Sequence, residues 1–512
     1  MTMAHRSTTL TEYGDFQTPS DLALLVVKVL RSRGVEPASV VEPTCGRGSF
    51  VHAALDGFEH VAEVLAVEIN PSHYLELQSS LRMKTLSARV DARKQDFFAF
   101  DWLDALRDLP EPLLLLGNPP WVTSAGLGAI ASGNLPAKSN FQNHKGLDAI
   151  TGRGNFDIAE WMILKLLSDA SGRRATLAML VKTSVARRVL GHAWRTGMPI
   201  TRAAQYRIDA STYFGVSADA CLLVCDLDDK PGPKNCDLYD IDAPERKIGA
   251  MGMRDGVLLA SADAYDRWSH LVAAGRSSPY QWRSGVKHDC SAVMELAGED
   301  PSALVNGLGE AVELEPDCVF PMLKGSGVAS GTQRGIGTRW MLVPQRTTDD
   351  DTTALRERTP KTWEYLNRHA ERLDRRGSSI YRKRPRFAVF GIGPYTFAPW
   401  KVAICGLYKK LAFSAVGPCA GRPVVFDDTV SHLSFETEAE AQLMSDVLNG
   451  SIAREFFEAF LFWDAKRPIT IDILRRLDLM QLARACGREH DLPLALRPSE
   501  AIPGLFGEAR AG

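Results

Sequence analysis

The sequence has no run of about 18 consecutive apolar residues, the length a membrane-spanning helix needs, and its opening stretch, MTMAHRSTTLTEYGDF, holds no apolar signal core. A cytoplasmic location is therefore expected. Nine cysteines, at 45, 221, 225, 236, 290, 318, 405, 419 and 486, are odd in number and lack paired Cys-x-x-Cys spacing. That argues against a disulfide framework and against a zinc site, and leaves reduced, mostly structural thiols as the expectation. An excess of positive charge is missing as well: the formal net charge is −2, so any nucleic-acid-binding surface must be local. There is no internal repeat and no low-complexity tail. His288 and His432 have no metal-ligand company, and no metal is expected.

What is present is enough for more than one domain. At 512 residues, and about 150 residues per domain, two or three are expected. Hydrophobic residues at 45% and charged ones at 24% are ordinary for a globular chain. Phe16-Gln17-Thr18-Pro19 precedes Ser20, a plausible N-cap, and an apolar helical run from Leu22 to Leu30 that Gly34 can end. Val40-Val41-Glu42-Pro43-Thr44-Cys45-Gly46-Arg47-Gly48-Ser49-Phe50 reads as a buried strand, a glycine turn and a helix start, although it is not Gly-x-Gly-x-x-Gly and a glycine turn alone is weak. Val64 to Glu68 is a second hydrophobic strand ending in a carboxylate, the βαβ arrangement in which an acidic residue can hold ribose hydroxyls. Asp96-Phe97-Phe98 marks the next step from strand to loop, where a carboxylate could accept from an adenine amine while an aromatic lines its ring.

Leu113-Leu114-Leu115-Leu116 then runs directly into Gly117-Asn118-Pro119-Pro120-Trp121, where an open α/β sheet places its chemistry. An exocyclic amine on a nucleobase is a poor nucleophile because its lone pair is delocalised into the ring. Two acceptors aimed at its two N–H groups would draw the nitrogen towards tetrahedral geometry. Asn118 offers a side-chain carbonyl, and Pro119 a backbone carbonyl in a segment that Pro119 and Pro120 hold extended. Trp121 supplies a flat face, and stacking of that kind is worth about 1–3 kcal/mol per base, comparable with the few kcal/mol that unstacking a base costs. The plainer reading of Asn-Pro-Pro is a turn after a strand.

After Trp121, the stretch 126–155 is rich in Gly, Ser, Asn and Lys and reads as a long loop, either a lid or a solvated surface segment. Phe156 to Leu167 is expected to be an amphipathic helix, and Ala175 to Val181 and Cys221 to Cys225 buried strands. Between them, Ser211 to Val216 is a turn whose Tyr213 and Phe214 either reach a base from the side opposite Trp121 or plug the core. Asp226 to Asn235, with Pro231-Gly232-Pro233, is the best linker, so the boundary falls at 230, with domains over 1–230 and 231–512. In the second part, Arg372 to Phe387 carries seven cations against one carboxylate. Arg375, Arg376, Arg382, Lys383, Arg384 and Arg386, interleaved with aromatics, suit phosphate neutralisation with stacking, or form a solvated face. Lys324, Trp400-Lys401 and Trp463 to Pro468 are weaker candidates.

Taken in order, these motifs resemble the gamma class of S-adenosylmethionine-dependent DNA amino-methyltransferases: Phe-x-Thr-Pro at Phe16 to Pro19, an acidic Pro-x-Cys-Gly-x-Gly-x-Phe loop from Glu42 to Phe50, Glu68, Asp96-Phe97, and Asn118 to Trp121. The resemblance covers residues 12–227. It implies an α/β fold, a Rossmann-like class I methyltransferase domain followed by a mixed α+β target-recognition domain. It also implies that Thr18, Glu42, Thr44, Gly46, Glu68, Asp96 and Phe97 surround S-adenosylmethionine, and that Asn118 and Pro119 orient the target amine. Trp121 would stack on a flipped base, where the family more often has Tyr or Phe, and Phe214 would be the second aromatic contact.

The implied reaction is direct methyl transfer to adenine N6 of double-stranded DNA, without a metal or a covalent enzyme intermediate. The implied setting is a restriction-modification or related defence system, with a separate endonuclease or defence subunit as a possible partner. Few residues precede Phe16, so modification without cleavage is the expectation for this chain. A cytosine-C5 reading through Pro418-Cys419 is disfavoured because that cysteine lies far downstream. Cytosine N4, RNA adenine and protein glutamine amides make the same geometric demand, and a non-catalytic specificity subunit is the alternative from another class. The similar-sized second region with its basic patch favours DNA.

Overall fold

The structure is a computed structural model, and the residues it describes are 16–122, 157–275, 279–331 and 336–493. The long loop expected after Trp121 lies outside the described residues beyond Val122. Contacts divide the chain into two compact units, Met1–Asp263 and Ala264–Gly512. Among the described residues no helix is long and apolar enough to cross a membrane.

The first unit is built on one ten-stranded sheet. Helix α1 (Ser20–Ser32) precedes β1 (Ser39–Glu42), α2 (Ser49–Gly57), β2 (Glu63–Glu68), α3 (Pro71–Arg82), β3 (Arg89–Lys94), α4 (Trp102–Arg107) and β4 (Leu113–Gly117). After the undescribed stretch come α5 (Ile158–Asp169), β5 (Ala175–Lys182), α6 (Thr183–Thr196), β6 (Ile200–Asp209), α7 (Ala210–Phe214) and β7 (Asp219–Leu227). The unit ends with β8 (Asn235–Asp240), β9 (Gly249–Arg254) and β10 (Val257–Leu259). The order across the sheet is β10-β9-β8-β6-β7-β5-β4-β1-β2-β3. Strands β3, β2, β1, β4 and β5 run parallel, and β7 is inserted antiparallel between β5 and β6.

Covered on both faces, the central strands have no need of alternation. All residues of β1 and β4 are buried, whereas β3, at the edge, is charged and largely exposed, which blunts pairing with other chains. The sheet divides two cores, one around Trp102, Met162 and Leu223, the other around Phe50, Leu114 and Tyr206. Cys221 and Cys225 are buried core residues of β7.

Three local expectations change. Helix α1 begins one residue early: the N-cap is Pro19, extended at φ −59° and ψ 144°, and its carbonyl already accepts from Ala23 N, so Ser20 is the first helical residue. The 211–216 turn contains one helical turn, α7, whose first amides are capped by Asp209 and which Gly215 ends at φ +67°. The 226–235 linker is a connection within the sheet. Gly232 donates to Ile200 O at 2.9 Å and lies so close to β6 that a Cβ there would meet Thr201 O at 2.1 Å. Strand β8 then pairs with β6 in parallel, which carries the first unit to Asp263 rather than 230.

The second unit contains two sheets. The six-stranded one comprises β12 (Glu295–Ala297), β13 (Leu304–Asn306), β14 (Ala311–Val312), β15 (Val319–Leu323), β16 (Arg339–Leu342) and β19 (Val425–Phe426). The four-stranded one comprises β11 (Arg283–Ser284), β17 (Trp400–Cys405), β18 (Ser414–Val416) and β20 (Val430–Phe435). Trp340, Tyr365 and Phe387 anchor the larger of its cores.

Candidate active site

Strand β1 is the switch point of the first sheet: β2 and β3 extend from one side of it, β4 and β5 from the other. A crevice therefore opens at the C-terminal ends of β1 and β4. It is lined by residues from each expected cofactor element: Thr18, Glu42, Thr44, Gly46, Glu68, Asp96 and Phe97, together with Asn118 and Pro120. The structure thus brings together all seven residues expected around the cofactor.

The turn after β1 holds its shape through left-handed glycines and one carboxylate. Gly46 has φ +52° and Gly48 φ +87°, the region where L side chains are strained. Glu68 Oε2 accepts from Gly46 N at 2.7 Å and Oε1 from Asn70 N at 2.7 Å. Gln17 completes the roof: its Oε1 accepts from Arg47 N at 3.1 Å, its amide lies 3.5 Å from His73 Nδ1, and a Cβ on Gly46 would strike it at 2.6 Å. Ser49 Oγ donates to Thr18 O at 2.7 Å, tying the Phe16–Pro19 segment to the start of α2.

Glu42 is the electrostatic anomaly. It is buried, its Oε2 has no hydrogen-bond partner, and burial, reinforced by the nearby Glu68 charge, pushes its carboxyl well above the usual range against a smaller opposing effect of the Val51 amide. The Cys45 thiol beside it is pushed up by burial and by both carboxylates, which makes it inert. At the far wall, Asp96 Oδ1 accepts from Phe98 N at 3.0 Å. Phe97 lines the crevice while its ring packs on Trp102 at 4.9 Å.

Asn118 stands at the end of β4. Its Nδ2 donates to Phe16 O at 2.9 Å and lies 3.3 Å from Thr18 Oγ1. A carbonyl can only accept, so this contact fixes which way the amide faces. Oδ1 is left buried and without a partner. Pro119 is buried, and its carbonyl accepts no hydrogen bond among the described residues.

Trp121 differs from its expected setting. It is buried, donates Nε1–H to Leu180 O at 3.2 Å, and meets Phe214 edge to face at 5.2 Å and Phe16 at 5.9 Å. A base between two rings needs about 7 Å, twice the ~3.4 Å spacing of stacked bases. Trp121 and Phe214 therefore touch instead of facing each other across a slot. Neither of these rings lines the cofactor crevice.

Sequence reasoning missed the brace behind this loop. Lys182 Nζ donates to Trp121 O at 2.9 Å and to Asp157 Oδ2 at 2.9 Å, and Ile158 N donates to Val122 O at 3.0 Å. A lysine ending an apolar strand was its only signal. Gln17, His73 and Asn70 were also missed; Asn70 alone had one, as an N-cap before Pro71.

In the second unit the six expected cations part company. Arg376 is an internal brace: its guanidinium donates to the carbonyls of Leu373, Ala388 and Arg386 at 2.7–2.9 Å and sits 3.8 Å from the Tyr381 ring centroid. It is committed to its own chain and is no phosphate ligand in this arrangement. Arg386 is paired with Asp374 at 2.6 Å, Arg375 with Glu371 and Arg384 with Asp349. Arg382 and Lys383 are exposed and have no acidic partner among the described residues.

The sheet order and the crevice at its switch point define a Rossmann-like, class I methyltransferase-type α/β domain. No protein-family profile matches the chain. It is 43% identical over 473 residues to the Type II methyltransferase M.NspV of Nostoc sp., covering 92% of this chain and 97% of that protein. The chain belongs to this type II methyltransferase family. Among solved structures, the type IIL restriction-modification enzyme MmeI in complex with DNA is 14% identical over 93% of this chain, with a TM-score of 0.47. The type IIG restriction endonuclease BpuSI is 13% identical over 90% of it, with a TM-score of 0.39. This chain covers 64% and 58% of those two chains, respectively.

Proposed function

We propose that this protein transfers a methyl group from S-adenosylmethionine to N6 of an adenine flipped out of double-stranded DNA, as a gamma-class modification enzyme of a restriction-modification system. The observation that carries the proposal is Asn118 Oδ1: a buried acceptor with no partner, held in place by its own amide nitrogen, at the end of the strand that forms the crevice. An unsatisfied buried acceptor costs about 1–3 kcal/mol, and an incoming N–H removes that cost.

The crevice fits the cofactor. The buried Glu42 Oε2, which has no hydrogen-bond partner, suits the cationic end of such a ligand. Glu68, oriented by two backbone amides and lining the crevice at the end of β2, would accept from ribose hydroxyls, and Asp96 and Phe97 would receive the adenine end. When bound, the group supplies a methyl on a positively charged sulfonium that departs as a neutral thioether. The chain's own residues do the rest. Asn118 Oδ1 and the Pro119 carbonyl each accept one N–H of the target amine, which turns the lone pair out of the ring towards the methyl carbon. The nitrogen gains the carbon bond and gives up one proton to solvent. Positioning and electrostatics carry this chemistry. The Phe16, Trp121 and Phe214 rings must separate to admit a base. The second unit, through local clusters of cations such as Arg382 and Lys383, would read the target sequence.

Asn118→Ala tests the assignment. Methyl transfer to DNA should fall by at least the 10²–10³-fold typical of losing one preorganised polar contact, while binding of labelled S-adenosylmethionine by equilibrium dialysis is unchanged. Full turnover in the variant would remove Asn118 from the mechanism.

A further inference from the structure

Two tetrapeptides of the second unit share one order of side-chain types: Ile380-Tyr381-Arg382-Lys383 and Leu407-Tyr408-Lys409-Lys410. Each is an aliphatic residue, a tyrosine and two cations. The first lies within a single 3-10 turn, Ser379–Lys383, and the second forms the tip of the connection between β17 and β18. Ile380 is 38% exposed, Leu407 39% and Tyr408 45%. An aliphatic side chain left in water forgoes part of the roughly 1.5–3 kcal/mol that burial supplies, and here this happens twice, each time two residues before a pair of cations. Lys409 and Lys410, like Arg382 and Lys383, are exposed and have no acidic partner among the described residues.

A chain of contacts through Lys287, Asp428 and Thr429 links the two tetrapeptides. Tyr381 OH donates to Lys287 O at 3.3 Å, and Lys287 Nζ lies 3.4 Å from Asp289 and 3.9 Å from Asp428. Thr429, the next residue, accepts through its carbonyl from Gly406 N at 3.0 Å, immediately before Leu407. Lys287 thus lies between two carboxylates, and the four outer cations have no ion-pair partner among the described residues.

We infer that Leu407–Lys410 is a second DNA contact acting together with Ile380–Lys383, in which the cations neutralise phosphates of the duplex and the exposed Leu407 and Tyr408 press as a wedge against base or sugar surfaces. The inference rests on the proposed DNA substrate. Apolar wedges flanked by basic residues are a known means of prising base steps apart. A protein that flips a base must hold the distorted duplex while the base is out of the stack. An anionic lipid surface would also attract lysines, but two short loops offering one aliphatic residue each bury too little apolar area to anchor there.

The test uses the full chain, labelled duplex DNA and anionic lipid vesicles, with affinity measured between 50 and 200 mM salt. Lys409→Ala with Lys410→Ala should make the log–log salt slope shallower by about 1.8, two phosphate contacts at ~0.9 each. Arg382→Ala with Lys383→Ala should do the same, and all four together about twice that. Leu407→Ser with Tyr408→Ser should weaken DNA binding roughly tenfold, on the scale of one lost stacking contact, with the slope unchanged. Thermal midpoints equal to the wild type's show that the variants are folded.

A slope moved by the Arg382/Lys383 pair and not by the Lys409/Lys410 pair overturns this inference and leaves the DNA reading standing. Loss of vesicle binding in the lysine variants, with DNA binding intact, also overturns it and assigns the loop to lipid. A wild-type chain that binds no duplex at any salt overturns the DNA reading itself.

Discussion

The crevice of the first unit and the Arg372–Phe387 segment of the second treat their polar side chains in opposite ways. In the crevice of the first unit, chemically expensive groups are kept without partners. Glu42 Oε2 and Asn118 Oδ1 are buried acceptors with nothing to accept from, while Glu68, Gln17 and Lys182 spend their hydrogen bonds on holding backbone in place. In the second unit the conspicuous cations are largely spoken for by carboxylates and carbonyls of their own chain, and only a few reach solvent unpaired. Unsatisfied buried polarity therefore marks the first site and unsatisfied exposed charge marks the second. A count of basic residues along the sequence misses that distinction.

Breaking the comparison at Arg376 should have the largest effect. Arg376→Met removes a guanidinium that binds three carbonyls at 2.7–2.9 Å, so the second unit should lose about 2–4 kcal/mol of stability, a few charged hydrogen bonds less what the apolar replacement recovers. A denaturant titration checks it. If Arg376 were instead a phosphate ligand, stability would hold and the salt slope of DNA binding would change.

Next is Glu42→Gln, which sharpens the contrast by removing the buried carboxyl of the crevice. The folded-state pKa of Glu42 lies above its ordinary value. Below about pH 4 both folded and unfolded states carry the proton and the group contributes nothing. Above that, the unfolded chain releases a proton that the folded one retains, and stability falls as pH rises until the raised pKa is passed. Thermal unfolding of the cofactor-free protein should therefore depend less on pH in Glu42→Gln than in the wild type from about pH 5 upward. The variant should also bind S-adenosylmethionine more weakly. Identical pH profiles would contradict the burial argument.

The smallest effect is expected at Trp121. Trp121→Phe keeps a ring against Phe16 and Phe214 but loses the bond to Leu180 O, a cost of about 1 kcal/mol, with methyl transfer retained. Loss of activity far beyond that would show that the indole itself, rather than an aromatic face, is required.

Strand ends were the legible part of the sequence. Leu113 to Leu116 and Val64 to Val67 are uninterrupted apolar runs because parallel strands are buried on both faces, and the first polar residue after each run lines the crevice. Asn118, Glu68 and Glu42 could be read in this way. Lys182 and Gln17 could not: their partners lie 61 and 30 residues away in sequence, and neither pattern nor propensity encodes which carbonyl or amide they meet. The Pro231-Gly232-Pro233 segment misled because its composition is that of a linker, whereas the glycine is needed for close approach to Thr201. Trp121 and Phe214 were recognised as a pair, but edge-to-face packing in the absence of a base is a tertiary fact.

The measurement that tests the account most directly is mass spectrometry of nucleosides from duplex DNA incubated with the purified protein and labelled S-adenosylmethionine. N6-methyladenine carrying the label is the result the account predicts. Label confined to N4-methylcytosine, RNA or protein would contradict the substrate assignment, and no label in any of them, despite cofactor binding, would contradict catalysis by this chain.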